Sequence, residues 1–249
     1  MMKRVSVGAV LWMLILAPTA ARAQPSGWTE RFLVSASGAF QGTRTDFRDA
    51  ITFTEFVEEG RIDTGYEVES GPALDGLAAV RLFGNFGVGV GVSYFTRRDA
   101  AALEARVPHP FFFDRHRSVS SGIPGARRTE IAAHLQAVFL QPLTSAFDLL
   151  LSGGPSLVTV EQTLVSRIEY AHTFPFDEAT FQSAGTRRDR QRGVGVNVGA
   201  DLTWRGWRHV GIGGGVRFID AQVDLRSEGH DVEVDAGGLQ GTVGLRLRF

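Results

Sequence analysis

Six histidines are the first place to look for chemistry in this sequence: His109, His116, His134, His172, His209 and His230. Imidazole titrates near neutrality, but it works as a general base only beside a nucleophile or an orienting acid. His134 stands at even spacing between Glu130 and Gln136, so the three share one face of a strand. That setting reads as a hydrogen-bonding residue of a polar face rather than a base. His230-Asp231 reads as the polar tip of a turn. Two segments share a pattern of histidine, then proline and phenylalanine, then aspartate: His109-Pro110-Phe111-Phe112-Phe113-Asp114 and His172-Thr173-Phe174-Pro175-Phe176-Asp177. Metal ligation by His109, Asp114, His116, His172 and Asp177 would need a geometry that such spacing does not fix. The chain has no cysteine, which excludes disulfides, a thiolate nucleophile and a zinc–thiolate site. No catalytic residue, cofactor site or metal site follows, and the chain is expected not to be an enzyme.

The elements that must position these side chains are strands, because the apolar residues recur at every second position. Segment 32–40 alternates Phe32, Val34, Ala36, Gly38 and Phe40 with smaller or polar residues, and 74–83 sets Ala78, Val80 and Leu82 against Asp75, Leu77, Ala79 and Arg81. Segment 86–94 alternates Phe86, Val88, Val90, Val92 and Tyr94 with three glycines and Ser93. Segment 129–140 sets Ile131, Ala133, Leu135, Ala137 and Phe139 against Glu130, His134 and Gln136. A fifth strand starts at Phe147, bends or bulges at Gly153-Gly154-Pro155, and resumes over 157–161. Segments 193–204, 210–218 and 239–249 repeat the pattern.

The connections alternate in length. Links 84–85, 141–145 and 205–208 are short, whereas 43–72, 98–127 and 163–189 are long. Within the first long link, 51–54 and 66–68 could extend strands beyond a membrane. Short turns on one side and long loops on the other are the arrangement of transmembrane barrels, and each strand has about the 9–11 residues that a tilted span needs. Trp28, Trp204 and Trp207 all fall at the expected periplasmic ends, where aromatic girdles sit.

The two termini agree with that address. Lys3 and Arg4, the apolar run 5–16 and Ala21-Arg22-Ala23 read as a cleaved secretion signal, which divides the chain into a signal peptide over 1–23 and a barrel domain over 24–249. Removing Lys3, Arg4 and Arg22 from 26 basic residues leaves 23, all arginine, against 27 acidic ones, a net charge of −4 that argues against nucleic acid as a partner. At the other end Leu239, Gly241, Val243, Leu245, Leu247 and Phe249 form an apolar face opposite Gln240, Thr242, Arg246 and Arg248.

That last strand resembles the closing strand of bacterial outer-membrane barrels, in which a terminal phenylalanine is read by the insertion machinery. Over residues 28–249 the pattern resembles the small barrels of the OmpA/OmpX type. The resemblance implies an all-β, eight-stranded, antiparallel up-and-down transmembrane barrel in the cell outer membrane, with Phe249 as assembly signal. Outer-membrane lipid, the insertion machinery and an unidentified surface ligand are its expected partners. The function read from this is a structural or interaction role at the cell surface. A narrow channel for small or hydrophobic solutes is the alternative, and an outer-membrane lipid-modifying enzyme the second.

An eight-stranded interior is filled by side chains. The inward polar set includes Arg81, Glu130, His134, Asp148, Asp201, Arg217 and Arg246, with glycines leaving room for the arginines. Buried charges need partners, so Arg217, Arg246 and Arg81 are expected to pair with Glu130, Asp148 and Asp201. In the outer loops, Phe111, Phe112, Phe113, Phe174 and Phe176 are expected to bury one another as a single cluster above the barrel, since burying one phenylalanine is worth about 1.5–3 kcal/mol.

Overall fold

The computed structural model describes residues 27–249, so the expected signal and its cleavage site lie outside the described residues. Ten antiparallel strands follow one another: β1 (Phe32–Gln41), β2 (Thr45–Glu55), β3 (Glu58–Val68), β4 (Gly71–Phe83), β5 (Phe86–Pro108), β6 (His116–Pro142), β7 (Phe147–Thr173), β8 (Glu178–Trp204), β9 (Val210–Ser227) and β10 (His230–Arg248). Eight of them close a ring in the order β5-β4-β1-β10-β9-β8-β7-β6, with β6 pairing back to β5. Pairing of β1 with β10 runs from Leu33 opposite Arg248 to Gln41 opposite Gln240, so the lower half of the last strand meets nearly all of the first. The architecture is the closed eight-stranded up-and-down barrel, with the β2–β3 hairpin added above β1 and β4.

All three expected long loops are mostly strand instead: 43–72 holds β2 and β3, 98–127 the upper parts of β5 and β6, and 163–189 those of β7 and β8. Strands β6, β7 and β8 are each 27 residues long, against the 9–11 or so that a span needs. Strand β5 shows how the extension is stabilised. Its even positions face outward throughout, and they change from Phe86, Val88, Val90, Val92 and Tyr94 to Thr96, Arg98, Glu104 and Arg106. Its odd positions face inward, and they change from Gly87, Gly89 and Gly91 to Ala101, Leu103, Ala105 and Val107. Strand β9 does the same, with Ile212, Val216 and Phe218 outside giving way to Asp220 and Asp224, while Ile219, Ala221, Val223 and Leu225 fill the inside. The lower barrel is apolar outside, as hydrocarbon requires; the upper barrel is apolar inside, as water requires.

Inside, the molecule is layered. At the lower end Trp28, Leu33, Leu77, Ala79, Val138, Leu140 and Leu150 form one apolar cluster. Trp28 is therefore not part of a girdle; it is 2% exposed and plugs the barrel from within. Gly87 makes this possible, because a Cβ there would stand 2.8 Å from the indole. Trp204 and Trp207 do face outward at this end. Above a polar middle layer, a second cluster built on Phe47, Ile62, Tyr66, Leu103, Val160, Leu164, Val223 and Leu225 fills the upper barrel.

The upper barrel is not one continuous ladder. Pairing between β6 and β7 stops above Arg128 and Gln162, and pairing between β8 and β9 stops above Gly195 and Ala221. Strands β2 and β10 do not pair. Side chains stitch the seams. Across β8 and β9, Asp189 accepts from the Arg226 N–H at 2.7 Å and Arg187 donates to the Arg226 carbonyl at 2.8 Å. Between β2 and the β9–β10 hairpin, buried Asp49 accepts from Ser227 at 2.6 Å and lies 2.9 Å from His230 Nε2. From β3 to β7, Tyr66 Oη accepts from the Val165 N–H at 2.7 Å. No bulge forms at Gly153-Gly154-Pro155: β6 and β7 keep one register from His134–Ser156 to Ala137–Gly153, and the ladder is interrupted only over the two pairs between them, where Pro155 has no N–H to donate.

Candidate functional site

Two places gather the functional side chains: the polar layer inside the lower barrel and the outer tip. In the lumen Arg217 on β9 pairs with Asp75 on β4, reaching across the barrel, and Arg246 on β10 pairs with Asp201 on β8 and donates to Ser37 Oγ at 2.8 Å. Arg128 and Glu130, both on β6, pair at 2.6 Å. Asp148 receives Arg248 and Arg205, each at 2.8 Å. The expected partners were therefore right only for Arg246 and Asp201. Arg217 takes Asp75 because the two face each other across the lumen, and Arg81 pairs with no carboxylate among the described residues but donates to the Trp28 carbonyl at 2.8 Å. Asp75 and Arg248 lie on the inward polar faces that the alternation predicts, without an expected partner, whereas Arg128 and Arg205 are additions to the expected set. Arg128 was legible, since it shares a face with Glu130 two residues on; Asp75 needed the register across the ring.

His134 lies 2.8 Å from Ser156 Oγ and 3.2 Å from Ser93 Oγ, with Asn197 donating to Ser156 at 2.9 Å and Gln136 donating to Asn197 at 2.5 Å. A serine beside a histidine is a nucleophile–base pair only where a substrate reaches it. This one lies between the two apolar clusters, and the void beside Asp75, Arg217 and Arg246 measures about 20 Å3, room for about one water. At the ceiling of the layer Arg128 donates to the Asp235 carbonyl and Glu130 accepts from the Gly237 N–H at 3.0 Å. Gly237 and Gly238 adopt φ of 95° and 109° there, a conformation open to glycine, which turns the backbone of β10 toward the lumen.

At the outer tip the connections are short: a two-residue turn at 56–57, and loops over 109–115 and 174–177. The three are clasped together. Asp114 N–H donates to Glu58 at 2.5 Å, Arg115 pairs with Asp177 at 2.8 Å, and His116 Nε2 lies 3.1 Å from the Glu59 carbonyl. Arg117 reaches across the β6–β7 seam to His172 Nδ1 at 2.9 Å and donates to the Pro108 carbonyl at 2.7 Å. His109 is buried, and its Nδ1 accepts from the backbone of Phe111 and Phe112, which folds that loop. The run His116-Arg117-Ser118 has a His-x-Ser spacing; both outer residues face water at the far end of β6, and His116 is engaged with β3.

The structure brings Phe111 to Phe176 with ring centroids 5.3 Å apart, and Phe174 to Phe176 at 5.9 Å. Phe112 packs on His109 at 4.9 Å and under the Arg115 guanidinium. Phe113 stands apart from these ring contacts and is 76% exposed. Phe56, which had not been singled out, joins through His172. The rings are not buried as expected: Phe174 is 83% exposed, and Phe111 and Phe112 are also mostly open to water. Loops this short have no chain left to fold over their own side chains. Phe56, Val57, Asp114 and Phe176 also hold positive φ, and Val57 does so at 68° while 91% exposed. A β-branched residue in that region is strained, and a two-residue hairpin turn favours asparagine or glycine.

No family profile and no curated protein sequence matches the chain. Among solved structures, Neisserial surface protein A is 12% identical at a TM-score of 0.44, covering 88% of this chain and 97% of its own. Ail, the attachment invasion locus protein of Yersinia pestis, is 12% identical at 0.37, covering 89% and 100%. Both scores fall below 0.5, and the barrel assignment rests on the strand pairing described above.

Proposed function

We propose that this chain is an integral outer-membrane barrel that anchors a rigid outer module and presents an aromatic crown at the cell surface, binding a partner there rather than conducting or catalysing. The observation that carries this reading is the crown. Phe56, Val57, Phe111, Phe112, Phe113 and Phe174 are exposed together at the tips of three clasped hairpins, one of them on strained backbone. Exposed apolar clusters of this kind mark interaction sites, and strain in an exposed turn is kept where function needs it. Strands that rise well beyond the apolar belt support the same reading, since they hold the crown clear of the membrane on a packed core. The two apolar plugs and the ion-paired layer between them support an anchor rather than a channel, and leave the Ser156–His134 contact without an entry path for a lipid substrate.

The absence of cysteine makes the test direct. In intact cells Phe174→Cys should react with a membrane-impermeant maleimide, and Trp207→Cys should react only after the outer membrane is opened. Labelling of Trp207→Cys in intact cells, or protection of Phe174→Cys, would overturn the reading.

A further inference from the structure

Just above the apolar belt the outward charges are divided by arc. On β5 to β8 the outward positions that follow the last apolar residues carry Arg98, Arg127, Arg188, Arg190 and Arg192, with Glu161 as the one carboxylate among them. On β9 and β10 the equivalent positions carry Asp220, Asp224, Asp231, Glu233 and Asp235, with Arg226, opposite Asp231, as the one base among them. Over β1 and β4 the charges cancel, with Arg44 paired to Glu69 at 3.0 Å.

The basic arc is offset within the chain only by Glu161, which stands directly opposite Arg190 on β7 and β8. Arg98 and Arg127 stand directly opposite each other on β5 and β6, an arrangement of like charges that destabilises a sheet unless an anion bridges it. Arg188, Arg190 and Arg192 follow at every second position of β8, so they form a column on one face. Among the described residues none of the five joins an ion pair within the 4.0 Å that Arg97–Asp99 and Arg187–Glu228 nearby satisfy. Below them the surface changes through Thr96 and Thr129, whose hydroxyls lie 3.1 Å apart, to Tyr94 and Ile131 of the belt. A guanidinium at this height is level with lipid headgroups and suits phosphate oxygens, which it binds through a planar fork.

We infer that the β5–β8 arc is a binding site for phosphate-bearing lipid headgroups of the outer leaflet, and that the β9–β10 arc is not, so that anionic lipid gathers on one side of the barrel. The inference rests on the membrane reading proposed above, and its occupant is fixed by charge and height: five unpaired guanidiniums meet anions where the phosphates are.

The test is native mass spectrometry of the refolded mature chain in neutral detergent, titrated with dipalmitoyl phosphatidic acid and, separately, with dipalmitoyl phosphatidylcholine. The wild-type chain should bind phosphatidic acid in preference. Arg98→Gln with Arg127→Gln, and Arg188→Gln with Arg190→Gln and Arg192→Gln, should each weaken phosphatidic acid by about five-fold per arginine removed. Asp220→Asn with Asp224→Asn and Asp235→Asn should not weaken it. Heat-modifiable gel mobility checks that each chain has formed a barrel. A heat-modifiable barrel that takes both lipids equally, or whose preference survives both arginine sets, overturns the inference and leaves the anchor reading standing. A wild-type barrel that binds a second copy through these arginines, with phosphatidic acid binding unaffected by their loss, also overturns it. A chain that never becomes heat-modifiable overturns both.

Discussion

The lower and upper halves of strand β5 differ in which face they bury, although nothing interrupts the strand. From Phe86 to Tyr94 it turns valines outward and glycines inward; from Ala101 to Val107 it turns alanine, leucine and valine inward and charge outward. The surroundings, not the strand, decide which face is apolar. The lower half presents hydrocarbon outward and holds its inward charges mostly in pairs, Arg217 with Asp75, Arg246 with Asp201 and Arg248 with Asp148. The upper half faces water and is held like the core of a water-soluble sheet protein. Each half is closed by the chemistry that the other exposes.

The halves should therefore fail differently when cut. The largest effect is expected in the lower half. Asp75→Ala leaves the buried Arg217 without its carboxylate, and a buried charge stripped of its partner costs about 3–5 kcal/mol. The urea midpoint of the mobility shift in lipid vesicles should fall accordingly, and Asp75→Leu combined with Arg217→Met should recover most of the loss.

In the upper half Leu225→Ala should cost about 2–5 kcal/mol, since Leu225 is fully buried. That loss should be local. Amide exchange over 219–236 should accelerate while the heat-modifiable barrel persists. Collapse of the whole barrel would merge the two halves into one cooperative unit and break the contrast drawn here.

Tyr66 gives a smaller and more specific handle. It stacks on Phe47 with centroids 4.7 Å apart and accepts the Val165 N–H across the module. Burial pushes its hydroxyl up to about 12 from the usual value near 10. Between those values the folded module holds a proton that the unfolded chain has lost, so stability falls as pH rises from about 10 to about 12 and is unaffected below. Thermal unfolding of the outer module against pH should show that decline, and Tyr66→Phe should abolish it while costing about 1–3 kcal/mol at neutral pH for the unsatisfied Val165 amide. The smallest effect belongs to the crown: Phe174→Ala should change stability by no more than about 0.5 kcal/mol, measured by the same unfolding, because the ring is exposed.

The belt was legible in the sequence because Val88, Val90 and Val92, or Val194, Val196 and Val198, alternate with glycine and small polar residues as a lipid-facing strand must. The upper half was hidden by its inversion. Ala101, Leu103, Ala105 and Val107 keep the same period of two, but charged residues replace the apolar ones on the outward face, and a search for outward hydrocarbon reads them as loop. In β6 the Pro124-Gly125 irregularity opposite Asp99 and Ala101 broke the period as well. The lumen residues were legible as a face, whereas their partners were not. Which arginine meets which carboxylate depends on stagger around the ring, and Asp75 reaches Arg217 only because β4 and β9 lie across the barrel from each other. Trp28 fitted a girdle by position along the chain, and only the space left by Gly87 turns it inward.

The central claim is that the barrel is a sealed anchor. Planar-bilayer recording of the refolded mature chain tests it most directly. With Trp28 and its neighbours plugging one end, an ion-paired layer in the middle and the core of the outer module above, the unmutated protein should give no steady conductance steps. A large and steady single-channel conductance would contradict the account.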